Sequence, residues 1–326
     1  MRHLRPLCWS FWLLAIGSAL TGSPATDTLR TRQYTSRSPE AAQFWQEEVR
    51  SGLFSLLHLD KLLSERALIP LNPKQTGTVD RGDYLMSEVE INSTPGRRIR
   101  VFVTIPKTPG GPWPAVVCIH GHGGKSLSVY ELDSPYKAFA HELASRGYVT
   151  ITAMVSQHEV YEQGMILMGE RLWDLMRCVD YLEAMPEVDP ARIGCAGLSL
   201  GGEMAMWLGG MDTRIRATVS AGFLTTMDHM EVNHCMCWKF PGLRTLVDYA
   251  DIYALTAPRA LMCQNGLKEP ESQFYVPIAR EAIQEVALIY RDLGAADKVV
   301  LDVHDEGHIM NNSALIPFME KQLAKK

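Results

Sequence analysis

The feature that most constrains the fold is a regular alternation of short apolar runs and amphipathic helices, which begins near residue 115 and continues to the end of the chain. The predicted helix Gly169–Met185 shows the helical pattern, because its apolar residues recur at the i, i+3, i+4, i+7 spacing. The intervening apolar runs are much shorter, so we expect buried strands there. Strand–helix–strand repetition predicts an α/β protein with a mostly parallel central sheet and helices on both faces.

The predicted strands divide the chain into one domain with an N-terminal extension. A helix is expected to begin at Ser38-Pro39, because Ser is a favoured N-cap and Pro a favoured first helical residue. We therefore predict an N-terminal helical extension over residues 26–75 and an α/β domain over 76–326. A long segment rich in His, Cys, Trp and Tyr, residues 223–256, predicts an insertion or lid after the sixth strand. The predicted strands are Tyr84–Ile91, Arg98–Ile105, Ala115–Ile119, Tyr148–Met154, Arg192–Leu198, Ile215–Ala221, Ala260–Cys263 and Val299–Val303.

The N-terminus has the composition of a targeting segment. Arg2 and Arg5 precede an apolar run from Pro6 to Leu20, and small residues follow it. This basic, apolar and small order is typical of a secretory signal peptide, and the run is shorter than a comfortable membrane span of about 20 residues. We expect a cleaved signal peptide over residues 1–25, a secreted or periplasmic protein, and no stable membrane anchor. An uncleaved anchor helix is the alternative.

Composition excludes several classes of protein. The chain has 326 residues, of which 46% are hydrophobic and 21% charged, so it is neither disordered nor a fibrous repeat. The net charge of −5 and the lack of a basic stripe in the sequence argue against a nucleic-acid partner. Cys8 lies in the predicted signal peptide, and the remaining cysteines are too few for a disulfide scaffold, so no pairing is assigned.

The sequence Gly197-Leu198-Ser199-Leu200-Gly201 matches G-x-S-x-G, with a predicted strand before it and a predicted helix after it. Strand, sharp turn and helix together are typical of a nucleophile elbow. We predict that Ser199 is a catalytic nucleophile and that the backbone N–H of Leu200, at a helix N-terminus, stabilises a developing oxyanion. The alternative is an ordinary Gly-rich connection between a strand and a helix.

A second glycine-rich loop, His120-Gly121-His122-Gly123-Gly124, follows the strand Ala115–Ile119. A loop in this position supplies the second oxyanion donor in hydrolases with such an elbow. We predict the backbone N–H of His122 as this donor, with Gly123 as the alternative. The two imidazoles also suggest a metal site, but neither an H-E-x-x-H nor a C-x-x-C pair accompanies them. We therefore expect no metal and no cofactor.

A serine nucleophile needs a base that a third group holds in one tautomer. His308 follows the last predicted strand and stands in a loop before a helix, so it is the predicted base, with His304 as the alternative. Glu269 follows the exit of the preceding strand and is the predicted acid. The chain order Ser–acid–His is that of α/β-hydrolases. Three other carboxylates are weaker candidates for the acid: Asp228, Asp251 and Glu271.

These motifs resemble the acetyl xylan esterase-like and dienelactone hydrolase-like group of α/β-hydrolases. The resemblance implies an α/β-hydrolase fold and an exported enzyme that cleaves carbohydrate esters. It also implies an Asp as the usual triad acid, whereas this chain has Glu269 at that place. We therefore expect an active enzyme in which the carboxylate approaches the histidine from a slightly different direction. The matching stretches are His120–Gly124, Trp173–Asp174, Asp180–Leu182, Arg192–Gly202, His234–Cys237, Pro241–Leu243, Ala257–Arg259 and Gly307–His308.

Two further sets of residues have more ordinary interpretations. Charges of alternating sign at i, i+3 spacing in the helix Gly169–Met185 are typical of a solvated, salt-bridged helix face; they are Arg171, Asp174, Arg177 and Asp180. Aromatic residues of the insertion are candidates for stacking on sugar rings, although lid packing is the simpler interpretation; they are Trp238, Phe240, Tyr249 and Tyr253.

The sequence as a whole predicts an exported serine hydrolase that cleaves short-acyl, acetyl-type esters of carbohydrates through a Ser-His-Glu triad and an acyl-enzyme. Its expected partner is a small-molecule or carbohydrate ester. Two alternatives are an exported peptidase of the prolyl oligopeptidase-like type and a non-catalytic glycan-binding protein on a hydrolase scaffold. The oligomeric state stays open.

Overall fold

The computed structural model describes residues 29–232 and 234–325. The predicted signal peptide, residues 1–25, lies outside this range. Within it, none of the helices combines the length and the apolar character that crossing a membrane requires.

A mixed sheet forms the centre of the described structure, with the strand order β1-β2-β3-β5-β4-β6-β7-β8-β9. Strands β1, β2, β3 and β5 pair antiparallel with their neighbours in that order, and the pairs from β5 through β4 to β9 are parallel. The strands are β1 Lys74–Asp80, β2 Tyr84–Asn92, β3 Arg98–Pro106, β4 Trp113–Ile119, β5 Val149–Ala153, β6 Val188–Leu198, β7 Ile215–Ala221, β8 Ala260–Gly266 and β9 Val299–His304.

Helices cover both faces of this sheet. Buried residues of α1, α4, α5, α8 and α9 form one hydrophobic core, and those of α3 and α10 form a second core on the other face. The α-helices of the described residues are α1 Pro39–Leu56, α2 Asp60–Glu65, α3 Phe139–Ser145, α4 Leu167–Ala184, α5 Leu200–Met211, α6 Met227–Met230, α7 Leu243–Leu246, α8 Tyr249–Ala254, α9 Val276–Asp292 and α10 Asn312–Gln322.

The predicted fold class is confirmed, with one correction to its strand count. The predicted insertion follows β7, the seventh strand rather than the sixth, because β1 was missed. Every residue of β1 is exposed at the sheet edge. A strand without a buried side has no apolar alternation to reveal it, and the helical extension therefore gives way to the sheet at Lys74.

An N-terminal strap, residues 30–37, fastens the start of the described chain to distant helices. The Arg30 guanidinium donates to Asp251 (2.7 Å), and so does the Tyr34 backbone N–H (2.8 Å). The Tyr34 hydroxyl and the Arg37 N–H both donate to Asp292 (2.6 and 2.8 Å). The strap then leads into α1, where the Ser38 side chain accepts from the Ala41 N–H as the predicted N-cap (3.3 Å).

Three of the four alternating charges on α4 are buried and Asp180 is half-buried, so the face is salt-bridged as predicted but is not solvated. The Asp174 carboxylate accepts a hydrogen bond from each terminal nitrogen of Arg97, at 2.9 and 2.6 Å. It also accepts one from the Ser93 hydroxyl. Arg177 donates to Asp180 (2.5 Å) and to the Ile69 carbonyl (2.7 Å). These partners come from the β2–β3 turn and the helical extension, which cover the face that the sequence alone leaves open.

Candidate active site

Ser199 occupies a sharp turn between β6 and α5. Its backbone has φ 63° and ψ −126°, a region that side-chain-bearing residues rarely adopt. A Cβ at Gly201 would come within 2.2 Å of the Ile119 carbonyl oxygen, so only glycine allows α5 to approach β4 here. The Ser199 N–H donates to the Ala221 carbonyl (2.9 Å), which fixes the turn against β7. The local geometry is therefore that of the predicted elbow.

The two predicted oxyanion donors lie on either side of this turn. Leu200 is the first residue of α5, so its N–H has no acceptor within the helix. His122 lies in the turn after β4, where a Cβ on Gly121 would approach the Ser199 Cβ to 3.0 Å. The Gly121 N–H donates to the Tyr136 hydroxyl (2.7 Å), so Tyr136 positions the loop. No sequence motif marked Tyr136 for this role.

His308 and Glu269 come together at the carboxyl ends of β8 and β9. His308 Nδ1 lies 3.2 Å from Glu269 Oε2. The Phe274 N–H donates to the same carboxylate oxygen (3.2 Å), and the Phe274 ring stacks on the imidazole with centroids 5.3 Å apart. Glu269 is buried and His308 is half-buried, so the carboxylate can orient the ring while one ring edge stays accessible.

Gly222, which directly follows β7, lies beneath the His308 ring. A Cβ there would come within 2.8 Å of His308 Nδ1, and the residue has φ 56°, so two constraints favour glycine. Among residues 29–232 and 234–325 no hydrogen bond joins the Ser199 hydroxyl to His308. Catalytic hydrogen bonds are often long before substrate binds. The structure thus brings Glu269 and His308 into contact at the ends of β8 and β9, and places Ser199 at the end of β6, one strand further along the sheet beyond β7.

The alternative candidates have other partners. Asp251 is buried, caps α8 and binds the Arg30 guanidinium. Asp228 is exposed and pairs with Arg244, and Glu271 is exposed. His120 is buried, and its Nε2 accepts the Val155 N–H (3.2 Å) while its Nδ1 faces the Gly121 carbonyl (3.0 Å). These contacts give structural explanations for Asp251 and His120.

A cleft of about 290 Å³ opens beside Ser199. Glu203, on α5, contributes a buried carboxyl to it, and one carboxyl oxygen, Oε1, has no hydrogen-bond partner in the described chain. Burial raises the pKa of Glu203 to about 8, although the Arg171 guanidinium acts against this rise. The cleft is lined by His122, Ser199, Leu200, Glu203, Phe223, Met230, His234, Cys235, Cys237, Trp238, Gln273 and Phe274.

The insertion contributes less aromatic surface than the sequence suggested. Tyr249 and Tyr253 are completely buried, and the Tyr253 hydroxyl bonds that of Ser220 (2.6 Å), so neither ring can stack on a sugar. Trp238 lines the cleft but is itself 1% exposed. Lid packing is therefore the better description of these residues.

The insertion does bring two cysteines to the glycine-rich loop. Donor atoms of His122, His158, Cys235 and Cys237 all lie within 4.8 Å of one another. The expectation of no metal rested on the lack of an H-E-x-x-H or C-x-x-C motif, but Cys235-x-Cys237 supplies a second pair of possible ligands that those motifs do not describe. Burial lowers the pKa of His122 to about 4, with Arg171 adding to the effect, so its imidazole is neutral near pH 7. The Cys-x-Cys spacing was the available signal, but His158 comes from a separate loop.

Comparison with known proteins identifies the class first. Residues 99–233 match the family model described as "Dienelactone hydrolase family". The chain has the α/β-hydrolase fold, and its central part is similar to the dienelactone hydrolase family. The Bacillus subtilis protein described as "Putative hydrolase YtaP" is 24% identical over 284 residues, which cover 78% of this chain and 93% of that protein.

Solved structures agree in fold. A structure described as a "putative acetyl xylan esterase" from Bacteroides fragilis superposes with a TM-score of 0.72 at 19% identity, covering 90% of this chain and 92% of that one. A glucuronoyl esterase from Teredinibacter turnerae gives a TM-score of 0.67 at 14% identity, covering 91% and 89%. The predicted resemblance to the acetyl xylan esterase-like and dienelactone hydrolase-like group is confirmed.

Proposed function

We propose that the protein is an exported serine esterase that cleaves short-acyl esters of carbohydrates. The observation that carries this proposal is the junction of three strand ends. Ser199 stands in a strained turn at the start of α5, while His308 Nδ1 lies 3.2 Å from the buried Glu269 carboxylate at the neighbouring strand ends. A nucleophile, a base and an orienting acid in this order support acyl transfer.

In the acylation step, the Ser199 hydroxyl oxygen attacks the ester carbonyl carbon. Because Nδ1 of His308 faces Glu269, Nε2 is the ring nitrogen that accepts the serine proton. The resulting oxyanion accepts hydrogen bonds from the backbone N–H groups of Leu200 and His122. Glu269 stabilises the imidazolium, which then gives its proton to the departing alcohol oxygen as the acyl-enzyme forms.

In the deacylation step, a water molecule replaces the alcohol. His308 removes a proton from this water as its oxygen attacks the acyl carbon, and the same two N–H groups hold the second oxyanion. When the Ser199–acyl bond breaks, His308 returns the proton to the serine oxygen. A carboxylic acid leaves and the free enzyme is restored, so the cycle consumes only ester and water.

The size and lining of the cleft favour a small acyl group. A volume of about 290 Å³ lies at the lower end of the range of about 300–1,000 Å³ that is usual for ligand sites. Phe223, Met230 and Phe274 supply apolar walls. Structural neighbours are described as acetyl xylan esterases, glucuronoyl esterases and a methylesterase, which supports a carbohydrate ester as the substrate class.

The test compares initial rates for p-nitrophenyl esters of increasing acyl length. We expect acetate to turn over fastest and Ser199→Ala to lower kcat/KM by about 10⁴–10⁶. Ser313→Ala changes an exposed hydroxyl on α10 and is the matched control, with a rate like that of the wild type. A Ser199→Ala rate within tenfold of the wild-type rate contradicts the proposed nucleophile.

Three further measurements separate the alternatives. A fluorophosphonate probe should attach one phosphonyl group, with loss of fluoride, to the wild-type chain and none to Ser199→Ala. This result does not depend on the natural substrate. Faster turnover of acyl-amides than of matched esters would favour the peptidase. Glycan binding by a chain that neither reacts with the probe nor turns over esters would favour the non-catalytic binding protein.

A further inference from the structure

Three loops meet at the rim of the active-site cleft and place four soft donor groups together. His122 lies in the turn after β4, His158 in the loop after β5, and Cys235 and Cys237 in the insertion after β7. His122 Nε2 is 3.2 Å from Cys237 Sγ, and His158 Nε2 is 3.3 Å from Cys235 Sγ. The two imidazoles stack with ring centroids 5.5 Å apart.

We propose that these four side chains form a zinc site that holds the insertion against the glycine-rich loop. In a tetrahedral zinc site the Zn–S and Zn–N bonds are about 2.3 and 2.0–2.1 Å, which places sulfur and nitrogen ligands about 3.6 Å apart. The two observed sulfur–nitrogen separations, 3.2 and 3.3 Å, are within a few tenths of an ångström of that value. All four donor atoms lie within 4.8 Å of one another, so the most distant pair must close by about an ångström to admit the ion.

The chemistry of the donors selects the type of metal. Thiolate sulfur and imidazole nitrogen are ligands for zinc and other late transition metals, whereas magnesium and calcium require oxygen. Two thiolates also balance the charge of a divalent ion. The Arg171 guanidinium lies beside this pair, with Nη1 3.5 Å from Cys237 Sγ.

The site is structural rather than catalytic. Four protein ligands complete a tetrahedral shell and leave no position for water or substrate. Its consequence is mechanical, because His122 would contribute its side chain to the ion and its backbone N–H to the oxyanion. The ion would thereby fix the insertion and the proposed oxyanion donor relative to each other. Zinc occupancy itself does not depend on whether Ser199 is the nucleophile.

A disulfide between Cys235 and Cys237 is the competing fate of the two thiols, since an exported protein meets oxidants. The disulfide would remove both sulfur ligands and leave two imidazoles, which do not make a tight site alone. The two outcomes are distinguishable, because zinc binding protects free thiols whereas the disulfide lowers the mass of the chain by two hydrogens.

The test is metal binding to the full-length chain, measured without substrate. Protein purified with reductant and stripped by a chelator is titrated with Co²⁺ and then with Zn²⁺. We expect one equivalent of Co²⁺ to give the intense visible bands of a tetrahedral site together with thiolate-to-metal charge transfer, and Zn²⁺ to displace it. Weak octahedral bands, or no bands, would overturn the proposal.

Variants assign the ligands. Cys237→Ser and His158→Ala should each weaken Zn²⁺ binding at least tenfold, and the His158 side chain is exposed, so that variant should fold normally. His234→Ala is the matched control, because it removes an imidazole from the same insertion but not from the cluster. Equal affinity in the wild type and in both ligand variants would refute the site. So would a Cys235–Cys237 disulfide in freshly isolated protein that cannot bind zinc.

Discussion

Two regions of this molecule bury charged groups, and they treat them differently. Around α4, Asp174 has both carboxylate oxygens bonded to Arg97 and one also to Ser93. In the active-site cleft, Glu203 on α5 is equally buried, yet Oε1 has no partner in the described chain and burial raises its pKa to about 8. The Asp174 carboxylate joins two segments of the chain, whereas the Glu203 carboxyl keeps one oxygen without a partner beside the cleft.

This difference shows that burial of a charged residue does not by itself indicate a functional site. The partners of the charge must also be known. Asp174 and Glu203 are both buried acidic residues on helices, and neither local sequence shows which of them is paired. The partners of Asp174 come from 77 and 81 residues away along the chain. A paired charge is a structural element, and an unpaired one beside a nucleophile marks a site.

The largest expected effect is on catalysis in the cleft region. Glu269→Gln removes the charge that orients His308 and stabilises its imidazolium, so kcat/KM should fall by about 10³–10⁴ while the fold is retained. Glu271→Gln, two residues away and exposed, is the matched control and should keep the wild-type rate. Ester hydrolysis and circular dichroism measure the two properties. Equal rates for the two variants would remove Glu269 from the triad.

The next effect should appear in stability at the α4 region. Asp174→Asn leaves the half-buried Arg97 guanidinium with only the more distant Glu162 carboxylate at 3.8 Å, so the free energy of unfolding should fall by about 2–3 kcal/mol, less than the loss for a fully buried pair. Urea unfolding measures this change, and kcat/KM of the folded protein should stay close to that of the wild type. A loss below about 1 kcal/mol would mean that solvent reaches the pair.

Glu203 should control how stability depends on pH. Its pKa is about 8 when folded and near the ordinary 4.5 when unfolded, so the unfolded chain binds fewer protons between these values. The free energy of unfolding therefore falls as pH rises, by at most about 1.4 kcal/mol per pH unit from this group. Glu203→Gln removes that slope and should gain stability relative to the wild type between about pH 5 and about pH 8.

Urea unfolding across that pH range gives the measurement for Glu203→Gln. Glu281→Gln, on the exposed side of α9, is the control and should follow the wild-type curve. Parallel curves for Glu203→Gln and the wild type would show that the Glu203 carboxyl is ionised in the folded chain, and the contrast with Asp174 would disappear.

The smallest expected effect is the loss of an exposed ion pair, and it gives the reference against which the two buried charges are compared. Glu88 and Arg100 form an ion pair at 3.4 Å on the sheet surface, with the Arg100 side chain 64% exposed. Glu88→Gln should change the free energy of unfolding by less than about 1 kcal/mol, because water and salt screen exposed pairs. A larger loss would mean that burial is not what separates these classes of charge.

Much of the architecture was predictable because it is encoded in local periodicity. The order of strands and helices and the elbow at Ser199 follow from short-range patterns, and the contact between Glu269 and His308 follows from where parallel strands end. Strand β1 was not predicted, because an exposed edge strand has no buried apolar side and so shows no alternation in the sequence. The charges on α4 were misread because burial depends on segments far away in the chain.

The cluster at the cleft rim shows the same limit. Cys235 and Cys237 were visible as a spaced pair and His122 as part of a motif, but His158 has no pattern of its own. Only the fold brings β4, β5 and the insertion to one edge, and with them the four donors. The positioning contact from Tyr136 to the Gly121 N–H is likewise a product of tertiary structure.

The N-terminal strap has a consequence for how the chain matures. Residues 30–37 leave the ribosome early, yet their partners Asp251 and Asp292 are synthesised more than 200 residues later. Its contacts with α1, such as the Trp45 indole N–H bond to the Arg32 carbonyl, can form early, but both carboxylates that fasten it are missing until most of the polypeptide has emerged. The first described segment of the chain is therefore among the last to reach its complete set of contacts, and its docking closes the fold only at the end of synthesis.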